Sequence, residues 1–300
     1  MTRCGFVVSL LLTAQAALAA PPLSERLETW KREIEQRGEL LVVVRIETDR
    51  ETNQLRIPPD TPRRALLAPL LASQGLAGQF VQTHAMTLNL EAMEGRIHFV
   101  LLNMARAAEF KDAEEPLLAH EFGHAWLDAL GFRAPDVAGE AQPCLAIQAG
   151  DIVQHILIRS EIERRGFVFR DYWIRNLDQA LDALKKEGAP GGAGACDALA
   201  RIALWTDVKL ALSADSWSRY GEFDQAFRRR FPLLAETVDE LVTVLKAVDV
   251  TALERFRRAL AYVYRRLAAT AGTEERPGAP EGPRIPLKTK ACLMPSGWLC

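Results

Sequence analysis

Residues 116–130 have the sequence PLLAHEFGHAWLDAL, which is the most informative segment of this chain. Pro116 suits a first helical turn, two acidic residues precede it at the positive end of the helix, and Gly131 is a natural C-terminal cap. Leucine, phenylalanine and alanine side chains between these ends can seat the segment in a core. The pattern therefore predicts an α-helix with His120 and His124 in its middle.

The two histidines of this helix have the spacing of paired metal ligands. His120 and His124 are four residues apart, so a helix projects both side chains from one face, about one turn apart. Two imidazoles at this spacing can bind one tetrahedral zinc ion (Zn2+) and leave other positions open. Glu121 lies beside that face, where its carboxylate can take a proton from zinc-bound water. The spacing therefore predicts a zinc site with a catalytic glutamate.

Working outward, the chain divides into a short mixed region and a long helical one. The segment 96–103, RIHFVLLN, predicts a strand that leads toward the motif helix, and the β-branched run at 40–46 predicts a buried strand. Further helices are predicted at 22–37, 65–71, 142–165, 176–187, 195–212, 232–247 and 250–268. We therefore expect an α+β fold, in which a small N-terminal sheet and the motif helix precede a mainly helical C-terminal region.

The HEFGH sequence on a helix that follows a strand resembles the zincin metallopeptidases, over about residues 96–165. The resemblance implies a zincin-like fold with His120 and His124 as zinc ligands and Glu121 as the base. It also implies that the edge strand of the sheet holds an extended substrate. That strand would be 96–103, which could pair its backbone with a peptide.

The resemblance does not extend to a particular subfamily. Leu127 and Leu130 stand where the metzincins have glycine and histidine. The Asn-Glu-x-x-Ser-Asp pattern of thermolysin-like enzymes is absent from the sequence. The motif therefore implies zincin chemistry without naming the enzyme group.

A catalytic zinc ion usually has three protein ligands and a water, so a third ligand is needed. The helix at 142–165 follows the motif and should supply it. His155 is the best chemical match. Asp151 is an alternative, either as a ligand or as the acceptor that orients His155 from one turn away. Glu140 or Glu161 would instead give a glutamate-liganded site, so the choice stays open at this stage.

Other polar residues are candidates for supporting roles. Asp128 lies one turn beyond His124 and could accept its free ring N–H. Arg159 is a candidate electrophile. His84 and His98 are weaker candidates. His98 lies on the predicted edge strand and could reach substrate, although an exposed strand histidine is the more common case. No tyrosine is assigned as an oxyanion stabiliser.

Composition argues against a nucleic-acid partner. The chain is 49% hydrophobic and 25% charged with a formal net charge of -2, so it has no basic excess to neutralise phosphates. The run Arg228-Arg229-Arg230 is interpreted as a solvated helix end. The expected partner is a peptide or protein substrate, and the oligomeric state stays open.

The first nineteen residues predict a cleaved signal peptide. Arg3 supplies the positive region, residues 6–14 are apolar, and Ala-Leu-Ala at 17–19 provides small residues at the cleavage site. The apolar run is shorter than the roughly 20 residues of a membrane span. We therefore expect a secreted or periplasmic protein with no stable membrane span after cleavage.

Export makes the remaining cysteines candidates for disulfides. Cleavage leaves four, which allow three pairings, and we favour Cys144–Cys196 and Cys292–Cys300. The second pair would close a small loop in a Pro/Gly-rich tail. The expected organisation is a signal peptide at 1–19, a zincin-like catalytic core at 20–170, a helical region packed on it at 171–270 and an irregular tail at 271–300.

Together these features predict an exported zinc metallopeptidase that hydrolyses peptide bonds through a zinc-bound water activated by Glu121. The alternative is a non-catalytic helical binding protein with a structural or vestigial zinc site. That alternative requires a closed site with four protein ligands and no room for water.

Overall fold

The structure is a computed structural model that describes residues 22–48, 54–72, 77, 80–81, 83–93, 95–133, 142–186 and 194–272. It is a mixed α+β fold: a small sheet comes early in the chain and helices make up most of the rest. The predicted fold class is confirmed at that level. The signal peptide, Glu140, most of the glycine-rich segment at 188–194 and the Cys292–Cys300 pair lie outside the described residues.

The sheet has four strands within the described part of the chain, in the order β2-β1-β4-β3. Strand β1 runs parallel to β4, whereas the β1–β2 and β3–β4 pairs are antiparallel. The strands are β1 (Leu40–Thr48), β2 (Leu55–Arg56), β3 (Ala85–Ala92) and β4 (Gly95–Asn103). The predicted strands at 40–46 and 96–103 are confirmed, and β2 and β3 are additional.

The expectation that 96–103 is the edge strand is wrong. Strand β4 is hydrogen-bonded on both sides, to β1 and to β3, so its backbone has no free edge for a peptide. Strand β3 lies outside it, joined by a tight turn in which Gly95 has a φ of 120°. A Cβ at Gly95 would lie 2.9 Å from the Gly38 carbonyl oxygen, so this turn also packs against the end of the first helix.

Alternation along β4 divides the core into two layers. Val100 and Leu102 point to the larger apolar cluster, which contains the motif helix and the C-terminal helices. Phe99 and Leu101 point to a smaller cluster on the opposite face. Residues of even number in the middle of β4 therefore face the motif helix, and this places His98 on the same side.

The helices predicted from the sequence are present, with shifted ends. They are α1 (Glu25–Glu35), α2 (Arg64–Ala72), α3 (Ala107–Phe110), α4 (Glu114–Ala129), α5 (Gln142–Arg164), α6 (Arg170–Lys186), α7 (Ala195–Ala211), α8 (Tyr220–Arg230), α9 (Pro232–Ala247) and α10 (Leu253–Ala271). Helices α3 and α8 were not predicted. Helix α8 is short and strongly polar, and Arg228-Arg229-Arg230 does form its end.

Helix α4 carries the motif and is buried over most of its length. Glu114 and Glu115 occupy its first turn, where negative charge is favoured. Gly131 follows its end with a φ of 85°, a conformation that side chains rarely adopt, and its N–H donates to the carbonyl of Asp128. The helix packs against β3, β4, α1 and α5, so its central residues are held on several sides.

The predicted Cys144–Cys196 disulfide is confirmed, and it joins α5 to α7. Buried apolar residues from α1, the sheet and the later helices form one continuous cluster, from Leu27 to Leu267. None of the described helices is both long and apolar enough to cross a membrane.

Candidate metal centre

Three buried histidines converge where α4 meets α5. His120 and His124 project from α4, and His155 projects from α5. One ring nitrogen from each lies within 4.8 Å of the other two, and we call this group the histidine cluster. The ring centroids of His120 and His155 are 4.9 Å apart, and those of His124 and His155 are 5.4 Å apart.

A glycine in the motif allows this approach. A Cβ placed on Gly123 would lie 2.7 Å from Cγ2 of Ile158, one turn beyond His155 on α5. Real Cβ atoms do not come that close, so any larger residue at 123 would push the two helices apart. The missing side chain therefore helps to bring His155 up to the two motif histidines.

His124 is oriented by an amide from α5. The Gln154 Nε2–H donates to the carbonyl of Phe132, which turns its Oε1 toward the His124 ring. His124 Nδ1 lies 3.3 Å from that oxygen and must donate to it. This bond leaves Nε2 as the nitrogen with a lone pair. The sequence also suggested Asp128 as the acceptor of the His124 N–H. In the structure the Asp128 carboxylate instead pairs with Arg96.

His155 is oriented by a carboxylate from α7. Its Nδ1 lies 3.4 Å from Oδ2 of Asp207, so that nitrogen donates and Nε2 faces the cluster. Burial lowers the pKa of His155, but the Asp207 carboxylate outweighs it and the net pKa is raised. Arg159 also pairs with Asp207, so the candidate electrophile is engaged in this ion pair.

His120 has a more apolar environment. Its ring stacks on Phe169, with centroids 5.0 Å apart. Neither ring nitrogen has a hydrogen-bond partner among the described residues, although both are buried. Burial, and then the nearby His155, lower its pKa well below the ordinary value. A buried imidazole in this condition is a neutral base whose lone pair faces the cluster.

Glu121 lies between the motif helix and the sheet, fully buried. Thr87 of β3 donates to its Oε2 over 2.6 Å, whereas Oε1 has no partner among the described residues. Burial, together with the nearby carboxylate of Asp151 and against the hydrogen bond from Thr87, raises its pKa to about 7. The group is therefore placed to exchange a proton near neutral pH.

The competing third ligands are elsewhere or undescribed. Glu161 is held by Arg164 and Arg165, on a different side of α5. Asp151 is buried close enough to influence Glu121, but it is not part of the histidine cluster. Among the described candidates, the structure brings His155 to the two motif histidines.

A second group of possible ligands lies farther along α4. Glu39, His98 and Asp128 place their ligand atoms within 4.8 Å of one another, and we call them the acidic cluster. His98 is fully buried rather than exposed: its Nδ1 lies 2.7 Å from Asn89 Oδ1, and its Nε2 contacts Glu39. Arg96 contacts Asp128, so these donors are already engaged.

His84 belongs to a third polar chain. Its Nε2–H donates to Glu109 over 3.0 Å, and the hydroxyl of Tyr172 donates to its Nδ1 over 2.7 Å. Burial lowers the pKa of His84 and raises that of Tyr172. The nearby Arg106 holds the pKa of Glu109 at about 2. This chain fixes the start of α6 against β3 and leaves His84 occupied on both nitrogens.

Sequence patterns did not indicate Asp207, Gln154 and Thr87. Each contacts a residue of the candidate site from a different helix or strand. A contact of this kind produces no regular spacing in the sequence. The one available signal was a polar side chain in an otherwise apolar run, as in IALWTDV around Asp207.

The donor set could hold a divalent metal ion. Three imidazoles converge on one point, and two of them are fixed through the other ring nitrogen, which is an arrangement that borderline-soft divalent metals prefer.

No family model, curated protein or solved structure matches this chain. Its function must therefore be argued from its own residues.

Proposed function

We propose that this chain is an exported zinc-dependent metallopeptidase with a zincin-like core. The single observation that carries the proposal is the convergence of His120, His124 and His155, with Glu121 next to His120 on the same helix and close enough to His155 to interact with it electrostatically. Three protein ligands with a neighbouring base are the arrangement of catalytic zinc sites. The disulfide is consistent with an oxidising compartment, secreted or periplasmic.

The three histidines would hold the ion through one nitrogen each. When bound, zinc would polarise a peptide carbonyl and lower the pKa of water at the site. Glu121 would then take the proton of the attacking water on Oε1, while Thr87 holds Oε2. The same carboxylate would deliver that proton to the leaving amine.

The edge strand β3 is the substrate-binding element that fits this proposal, in place of β4. Thr87 links β3 directly to Glu121, so a peptide paired with this strand would lie beside the base. The described residues of the site are at most about one-tenth exposed, so substrate entry requires neighbouring segments to move aside.

The proposal is tested by Glu121→Gln. The variant should bind one zinc ion as tightly as wild type, while hydrolysis of a fluorogenic peptide library falls by about 10²–10⁴-fold, the usual contribution of a general base. Glu115→Gln, on the same helix but paired with Arg26 near the surface, is the matched control and should retain activity. Wild-type turnover in Glu121→Gln would contradict the assignment.

The burial of the site favours one alternative, a structural zinc ion in a non-catalytic binding protein. Structural ions contribute folding free energy outright, whereas catalytic ions are often dispensable for the fold. Removal of zinc with a chelator should therefore leave the far-ultraviolet circular dichroism unchanged at 25 °C while hydrolysis is lost. Unfolding of the chelated protein would favour the structural alternative.

A further inference from the structure

Helices α5 and α7 are joined by directional links at two levels. The disulfide joins Cys144 to Cys196, in the first turn of each helix. Farther along, the ion pair joins His155 to Asp207. In both links the residue on α7 follows its partner on α5 by 52 positions. The two links therefore correspond to the same axial alignment of α7 along α5, which we call the register.

The geometry of that register follows from the helical repeat. Cys144 precedes His155, and Cys196 precedes Asp207, by the same eleven residues, which is about three turns. Both links hence lie on one face of each helix, separated by roughly 16 Å along the axis. The helices run parallel, and a shift of α7 along α5 at the disulfide would move Asp207 away from His155 by the same amount.

Apart from the ion pair between Arg159 and Asp207, which lies at the same level as His155, the remaining contacts between the two helices are less specific about their axial alignment. Buried side chains such as Ile152 on α5 and Leu199 and Ile202 on α7 belong to the shared apolar cluster. Apolar burial is non-directional, so it tolerates small sliding better than a covalent bond does. The disulfide is also accessible to redox partners, because Cys196 is exposed while Cys144 is buried.

We propose that the Cys144–Cys196 disulfide sets the register at which Asp207 orients His155, so that oxidation of this pair strengthens metal binding at the histidine cluster. The inference rests on the proposed zinc site and adds its regulation. The two thiols give up two electrons and two protons to a disulfide oxidant, such as oxidised glutathione, which leaves as two thiols. The reduced chain binds zinc weakly, and the oxidised chain binds it tightly.

The test is a double-mutant cycle on zinc affinity. Zinc dissociation constants are measured by competition with a chromophoric chelator for wild type, Asp207→Asn, the pair Cys144→Ser with Cys196→Ser, and the combination, at a temperature where circular dichroism shows all four folded. Asp207→Asn should weaken binding by about 10–100-fold, as for other partners of metal-bound histidines. The serine pair should weaken it by roughly 5- to 10-fold, a share of that same contribution.

The combination decides whether the two act together. If the disulfide acts through Asp207, the serine pair adds less than about twofold to the loss already caused by Asp207→Asn. The matched control is Asp224→Asn on α8, which removes the negative charge that faces Trp205 and Lys209 of α7 without touching the cluster, and it should leave zinc affinity unchanged.

A second measurement covers the case in which the serine pair does not fold. Zinc release from the loaded wild type should accelerate when a phosphine reductant opens the disulfide, whereas release from Asp207→Asn should not change with the reductant. Three results would overturn the coupling alone: equal zinc affinity of the wild type and the serine pair, fully additive losses of affinity in the combination, or a rate of zinc release that does not change with the reductant. Failure of wild type to bind zinc at all would instead overturn the zinc site and the coupling together.

Discussion

The histidine cluster and the acidic cluster both line helix α4, and both place three possible ligands within 4.8 Å of one another. They differ in what their donor atoms already contact. In the acidic cluster Arg96 contacts Asp128, Arg133 lies 3.8 Å from Glu39, and His98 bonds at both nitrogens. In the histidine cluster the second ring position of two histidines is fixed, and the converging nitrogens point at one another.

Proximity of metal-ligating side chains is therefore not sufficient to make a metal site. A divalent ion in the acidic cluster would compete with two guanidinium groups for the same carboxylates, and it would have to be desolvated in a region that already has balanced charge. In the histidine cluster the nearby guanidinium group, that of Arg159, pairs with Asp207, the carboxylate that orients His155. We therefore expect one zinc ion for each chain, at the histidine cluster.

The largest expected effect is a loss of folding stability when the charge balance of the acidic cluster is broken. Arg96→Met leaves the carboxylate of Asp128, whose side chain is 5% exposed, without its main partner. Removal of one member of a buried pair typically costs about 3–5 kcal/mol, so urea unfolding should show a loss of that size.

The control for this variant is Arg26→Met, which removes an exposed pair with Glu115 and should cost less than about 1 kcal/mol. Zinc affinity should be unchanged in both variants. An Arg96→Met variant no less stable than Arg26→Met would show that the acidic cluster does not depend on its guanidinium group.

The next effect distinguishes the two clusters by their histidines. His155→Ala removes a ligand and should lower zinc affinity by more than about 100-fold, since even the outer partners of metal ligands contribute about 10–100-fold. His98→Ala, the matched change in the acidic cluster, should leave affinity and a stoichiometry of one intact. Isothermal titration with zinc checks both, and an equal loss in the two variants would refute the distinction.

The smallest expected effect is the loss of zinc affinity when a group that orients one of these histidines is removed. Gln154→Leu removes the acceptor of His124 Nδ1 and should lower zinc affinity by about 10–100-fold, less than the loss of a ligand. Asn89→Leu removes the corresponding partner of His98 and should leave zinc affinity at the wild-type value. Chelator competition measures both, and unaltered affinity in Gln154→Leu would mean that His124 keeps its orientation without the amide.

Much of the fold could be predicted because it is encoded locally. Pro116 and Gly131 at its ends indicated α4, a long apolar segment with a polar stripe indicated α5, and a β-branched run indicated β1. Strand order is not local, and this is why β4 was mistaken for the edge. Its outer neighbour β3 was missed although its sequence, AMTLNLEA, alternates apolar and polar residues.

The candidate site divides in the same way. His120, Glu121 and His124 are specified by spacing within one helix. His155 needed the further assumption that α5 packs beside α4, and the structure places it there. Asp207 and Gln154 depend on how α7 and the end of α4 are packed, which no pattern in the sequence encodes.

The contact between Gly123 and Ile158 has a consequence for how this chain can vary. The separation of α4 and α5 is set there by one absent methyl group, because a Cβ on Gly123 would meet Ile158 at 2.7 Å. The second variable position of the HEFGH motif is thus not interchangeable in this fold. An alanine at 123 would require a smaller residue at 158, so the two positions should change as a pair. Together their side chains set the distance between the imidazole of α5 and the two imidazoles of α4.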